Sequence, residues 1–200
     1  MAAVEFPVKD VNPKLESYVA RLLDEAGVPN FIWGEPVLSI YGVPTVTFFS
    51  GWVIPDEHIE KAAHTLNKAK FPPCTQGSNF LTFDIWHLSL PQVTAFLDIP
   101  DPPIGCPAAD DPYYMLTLDS RIQDMNILTH SRQPAYEGYY PIKMPTPARY
   151  IKAMFLLYLR DLAGQRTLGH WKIELNYLIS YVLEDGVNLQ LDDLAEPFRR

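Results

Sequence analysis

Tyr41, Trp52, His87 and Tyr158 each carry an N–H or O–H donor inside a stretch that is otherwise apolar. Trp33, Phe48, Phe49, Phe83, Trp86, Tyr150 and Phe155 supply ring surface around them. Rings with a few placed donors are the usual make-up of a small-molecule site. Such a wall can hold two ends of one flexible molecule together, and a single donor to a carbonyl can stabilise charge that develops as they react. That chemistry asks for neither a nucleophile nor a metal. Nucleophilic catalysis asks for more, namely a base beside the nucleophile and a group that orients the base. Ser50, before Gly51, stands outside any G-x-S-x-G elbow. His87 reads first as a core histidine on an interior strand and second as an acid–base group. Asp84 is three residues away, which alternation along a strand places on the opposite face. His58 and His64 fall on a solvated helix face, and His130 and His170 read as loop or cap residues.

The elements that must position these groups follow from the pattern. Asn12-Pro13 starts a helix, with Leu15, Tyr18, Val19, Leu22 and Leu23 at helical spacing and Gly27 as its end. "FIWGEPVLSIYG" and "VPTVTFFSGWVI" read as two strands, broken by Gly-Glu-Pro and Gly-Val-Pro turns. Asp56 is expected to cap a helix over "EHIEKAAHTLNKAK", with Ile59, Ala62, Ala63 and Leu66 facing inward. "FLTFDIWHLSL" reads as a third, interior strand. A proline-rich connection follows, anchored by Tyr113 and Tyr114, and a strand pair is expected around "YYMLTLDS" and "YYPIKMPT". Thr146-Pro147 then opens the helix "ARYIKAMFLLYLRDLAG", whose partner is "WKIELNYLISYVLEDG". Both helices are apolar on more than one face, so they are expected to be buried or to line something apolar. The expected organisation is one α+β domain over 1–200: a core over 1–100, the connection over 101–145 and a C-terminal helical layer over 146–200.

The order helix, strand pair, helix, strand and C-terminal helices, together with "WGEPVLSIYGVPTVTFFSGWVIPDEHIEKAA", resembles a fungal family of small nucleotidyltransferase-like proteins. The resemblance runs from Phe31 to Phe71, with a weaker echo in "MPTPARYIKAMFLLYLRDLAG". It implies a minimal nucleotidyltransferase-like mixed sheet with flanking helices. In active members a Gly-Gly or Gly-Ser turn precedes a strand bearing two carboxylates one residue apart. Such carboxylates share a face because side chains alternate, and they hold a divalent metal through hard oxygen ligands. Laid on this chain, the turn falls at Gly34-Glu35 and the acid pair at Phe49 and Gly51, neither of which can hold a cation. Asp84 is the match to a third acid of that family. The resemblance therefore implies a degenerate site without metal.

Composition sets further bounds. The chain has 200 residues, 48% hydrophobic and 20% charged, enough apolar content to bury a core. Sixteen basic against twenty-four acidic residues give a net charge of −8 with no basic cluster, which argues against a nucleic-acid partner. The expectations are a cytoplasmic, soluble protein with no membrane insertion, and with Cys74 and Cys106 as buried reduced thiols. By context, the vacated cleft suggests a cofactor-independent cyclase or isomerase, pericyclic and Diels-Alderase-like. Its substrate would be a hydrophobic terpenoid or polyketide of fungal secondary metabolism. The alternatives are a non-catalytic ligand- or partner-binding pseudo-nucleotidyltransferase and an active metal-dependent nucleotidyltransferase.

Overall fold

In the computed structural model, the described residues are 12–47, 50–71, 99–122, 133–164 and 169–183. The Asn12 side chain accepts a hydrogen bond from the Leu15 amide at 3.0 Å and so starts α1 (Pro13–Glu25), with Pro13 in the first turn. Gly27, at φ +63°, lets the chain leave α1, a left-handed conformation that costs a residue with a Cβ far more.

The expected first strand is a strand followed by a helix. β1 covers only Phe31–Trp33, and α2 (Glu35–Ile40) takes up the rest of the segment. Gly34, at φ +80°, breaks the strand, and Pro36 sits in the first helical turn, where a missing N–H costs nothing. Of the expected second strand, β2 covers Gly51–Val53, and 43–47 has no regular structure. β1 and β2 pair antiparallel, with Phe31 opposite Val53, Ile32 opposite Trp52 and Trp33 opposite Gly51. A Cβ on Gly51 would lie 3.0 Å from the Trp33 carbonyl oxygen, so a side chain there would crowd the partner strand.

Asp56 begins a 3-10 turn (Asp56–His58) that leads into α3 (Ile59–Lys68), so it lies within the first turn and does not cap it from outside. Ala62 and Leu66 are buried, while Ile59 and Ala63 are half-buried. The proposed third strand, with Phe83, Asp84, Trp86 and His87, lies outside the described residues, as do Phe48, Phe49 and Cys74. Cys106 is exposed, which corrects the expectation of two buried thiols: it sits in the proline-rich connection, which runs over the surface.

That connection is tied down by Tyr114, which is buried and donates its hydroxyl to the Pro100 carbonyl at 2.5 Å. β3 (Tyr114–Leu116) and β4 (Lys143–Pro145) form the expected antiparallel pair, with Met115 opposite Met144. The strands described make two separate antiparallel pairs; the mixed sheet that was expected would need the third strand, which lies outside the described residues. β1 lies against β4, and the Phe31 and Tyr114 rings meet at 5.3 Å between centroids.

α4 (Pro147–Ala163) starts at Thr146, whose hydroxyl donates to the Pro112 carbonyl and not to the helix. Tyr150, Ile151, Ala153, Met154, Leu157 and Asp161 form its buried face. Leu159 and Leu162, on the other side, are exposed, so the second apolar face of this helix is not covered by the described residues. α5 (Gly169–Leu178) packs on α4 and ends in a π-helical turn, Ile179–Leu183. The Trp171 indole donates to Asp161 at 2.6 Å and locks the two helices together.

Candidate functional site

Buried tyrosines need an acceptor for the hydroxyl they carry inward. Tyr41 donates to the Pro145 carbonyl at 2.5 Å, and Tyr136 to Glu16 at 2.5 Å. Tyr150 is the exception in quality: its hydroxyl lies 3.3 Å from Glu174 Oε2 and 3.5 Å from the Gly34 carbonyl oxygen, both long for O–H···O. Burial and then the neighbouring Glu174 charge raise the Tyr150 pKa well above 10, so the group remains a protonated donor across neutral pH. Burial likewise raises Tyr41.

Beside Tyr150 stands Trp33, its ring centroid 4.4 Å away at an interplanar angle of 48°. Trp33 is 3% exposed, and its Nε1 has no hydrogen-bond partner among the described residues. A buried N–H without an acceptor costs about 1–3 kcal/mol, so its presence in a well-packed core asks for a reason. Next to it, the half-buried Gly34 has open space on its Cβ side, with nothing within 4 Å. The Tyr150 hydroxyl thus lies 3.5 Å from the carbonyl of a residue whose Cβ side is open. Tyr41 completes the group from the end of α2, its ring 6.1 Å from that of Tyr150.

The structure thus brings Trp33, Tyr41 and Tyr150 together and separates others. Trp52 is buried opposite Ile32, and the pleat turns it to the face of the strand pair away from Trp33. Tyr41 does not lie on a strand, and its hydroxyl is engaged by Pro145, so it supplies shape. Tyr158 and Phe155 are half-buried at the margin of the core. His87, Phe48, Phe49, Phe83 and Trp86 lie outside the described residues.

Two polar clusters were not foreseen. Glu16 is buried and accepts from the hydroxyls of Ser50 and Tyr136. Ser50 sits between the positions onto which the carboxylate pair was laid, and its hydroxyl is directed at Glu16. Asp24 accepts from Lys143 at 2.6 Å, Asn30 at 2.9 Å and Tyr140 at 3.0 Å. Burial, then the hydrogen bond to Asp24, pushes the Tyr140 phenol up to about 12. Glu174 was also missed, though the sequence carries a signal: Trp171, Glu174, Leu175 and Leu178 fall at i, i+3, i+4 and i+7, with an acid on the apolar stripe.

Among the described residues no three His, Cys, Asp or Glu side chains gather as metal ligands, and no helix is long and apolar enough to cross a membrane. No family model, curated protein or solved structure matches the chain.

Proposed function

We propose that this protein is a cofactor-independent cyclase or isomerase, pericyclic and Diels-Alderase-like, that folds a hydrophobic terpenoid or polyketide carbonyl compound of fungal secondary metabolism. Its scaffold is a nucleotidyltransferase-like one whose metal acids have been replaced. The unpartnered indole N–H of Trp33 beside the weakly engaged Tyr150 hydroxyl carries the reading. Both donors are buried among rings, where a hydrogen bond to a carbonyl oxygen is electrostatically stronger than in water. The open side of Gly34 gives a ligand somewhere to enter. Trp33, Tyr41 and Tyr150 would shape the chain of the substrate, and the two donors would hold its oxygen as charge builds there.

Gly51, paired with Trp33, and Ser50, directed at Glu16, leave no carboxylate of β2 to bind a nucleotide-bound cation.

Thermal unfolding tests the choice of ligand. An apolar terpenoid aldehyde at about 100 times its Kd should add about 2.7 kcal/mol, a rise of roughly 5–10 °C in Tm for a chain of this size, without added metal. ATP with magnesium should leave Tm where it is. Stabilisation by ATP with magnesium and none by the aldehyde would instead support an active nucleotidyltransferase. Aldehyde binding without any conversion would support a non-catalytic binding protein.

A further inference from the structure

Lys143 is a buried amine that the proposed site does not use. It lies on β4, 2% exposed, between the fully buried Ile142 and Met144. An ammonium carries three donors, yet among the described residues Lys143 has one acceptor, the Asp24 carboxylate at 2.6 Å. A lysine buried only to hold two elements together would be expected to place all its donors. The Asn30 side chain donates to the same Asp24 oxygen at 2.9 Å and to the Val28 carbonyl, while its buried Oδ1 has no partner among the described residues. Spare donors and a spare acceptor thus stand beside one carboxylate oxygen. Tyr140 donates to the other oxygen at 3.0 Å. It is half-buried and lies near the exposed Glu25 and Cys106, so the cluster reaches the surface on that side.

We infer that Lys143 captures a small aliphatic aldehyde as an imine, at a second site built from Asp24, Asn30, Tyr140 and Lys143. A buried amine beside a carboxylate that can take its proton is the arrangement by which a lysine attacks a carbonyl compound. Asp24 removes one proton from the ammonium, and the freed Nζ lone pair forms a bond to the aldehyde carbon as the C=O π pair moves to oxygen. A second proton passes from nitrogen to that oxygen, giving a carbinolamine. Its hydroxyl donates to Asn30 Oδ1, which meets the spare acceptor. Asp24 then returns its proton to the hydroxyl, which leaves as water while the nitrogen lone pair closes the C=N bond. One water is released, nothing is oxidised or reduced, and Asp24 ends ionised beside a protonated imine.

The test treats the full chain with propanal and sodium cyanoborohydride at neutral pH, where the reagent reduces an imine to a stable secondary amine, and maps the product by peptide mass spectrometry over time. Lys143 should be propylated first, about tenfold faster than the exposed Lys68 and Lys172, because those lack a base and an acceptor placed for the intermediate. A Lys143 left unlabelled, or labelled no faster than those two, would overturn the assignment, and this result needs no variant to fold. Asp24→Asn keeps an acceptor for Tyr140 but takes up no proton, so labelling of Lys143 should slow by about 10²-fold while the far-UV circular dichroism stays native. Equal labelling of folded Asp24→Asn and wild type would overturn the role given to Asp24. The proposed function rests on Trp33 and Tyr150 and stands or falls separately from this outcome.

Discussion

Asp24→Leu should destabilise the fold by about 3–5 kcal/mol, read as a fall in the urea midpoint with little change in slope. Asp24 and Lys143 face each other at 2.6 Å, with side-chain exposures of 7% and 2%. Lys143 comes from β4 and Asp24 from α1, so the pair links two elements far apart in sequence. Neither charge reaches bulk water. Removing the carboxylate leaves a buried ammonium to lose its proton or drag water inward, and either outcome costs folding energy. The reverse change, Lys143→Met, should cost less, because Asp24 still accepts from Asn30 and Tyr140. The double variant Asp24→Leu/Lys143→Met should recover more than half of the Asp24→Leu loss, since taking out both charges removes the desolvation cost as well as the attraction. A double variant no better than Asp24→Leu would show that the Asn30 and Tyr140 bonds to the carboxylate, and not the ion pair, hold these elements together.

The second large effect concerns turnover. Trp33→Phe/Tyr150→Phe keeps two rings in the wall and removes both donors. Loss of one oxyanion donor typically slows turnover by about 10²–10³. Because both groups serve the same oxygen, the losses should not multiply, and the double variant is expected at about 10³-fold below wild type with each single variant near 10². Substrate binding should weaken far less, since the rings remain. Double-variant turnover within a few fold of wild type would move the chemistry away from this pair.

How far the sequence foretold this arrangement depends on the kind of signal. Start and stop residues gave α1 and α4 because Asn12-Pro13, Gly27 and Pro147 act locally, although the Thr146 side chain does not cap its helix. The pairing of β3 with β4 was legible for a similar reason: prolines stand close to both short segments, Pro112 before Tyr114–Leu116, and Pro141 and Pro147 on either side of Lys143–Pro145. The segment Glu35–Ile40 misled because six apolar-rich residues fit strand and helix alike; the helix is chosen by Pro36 in the first turn and by the break at Gly34. Site residues were harder. Trp33 and Tyr150 were legible as wall, but their donor roles were not, since which buried polar group lacks an acceptor is a property of the packed core. Tyr41 and Trp52 were named as donors, and the fold engages one with Pro145 and turns the other to the opposite face. Glu16 and Glu174 both sit at stripe positions of their helices, Glu16 with Val19, Ala20 and Leu23. An acid on an apolar stripe was thus the available signal for a buried carboxylate, and it was passed over in favour of the rings.

The chain holds four tryptophans, so its indole N–H resonances can be assigned by loss of each in turn. A ¹⁵N NMR titration with an apolar terpenoid aldehyde is the most direct test of the central claim, that Trp33 keeps a buried donor open for a ligand oxygen. The Trp33 indole proton should shift downfield as it gains an acceptor, while that of Trp171, already bonded to Asp161, stays in place. A Trp33 signal unmoved at saturating aldehyde, or equal shifts at both indoles, would contradict it.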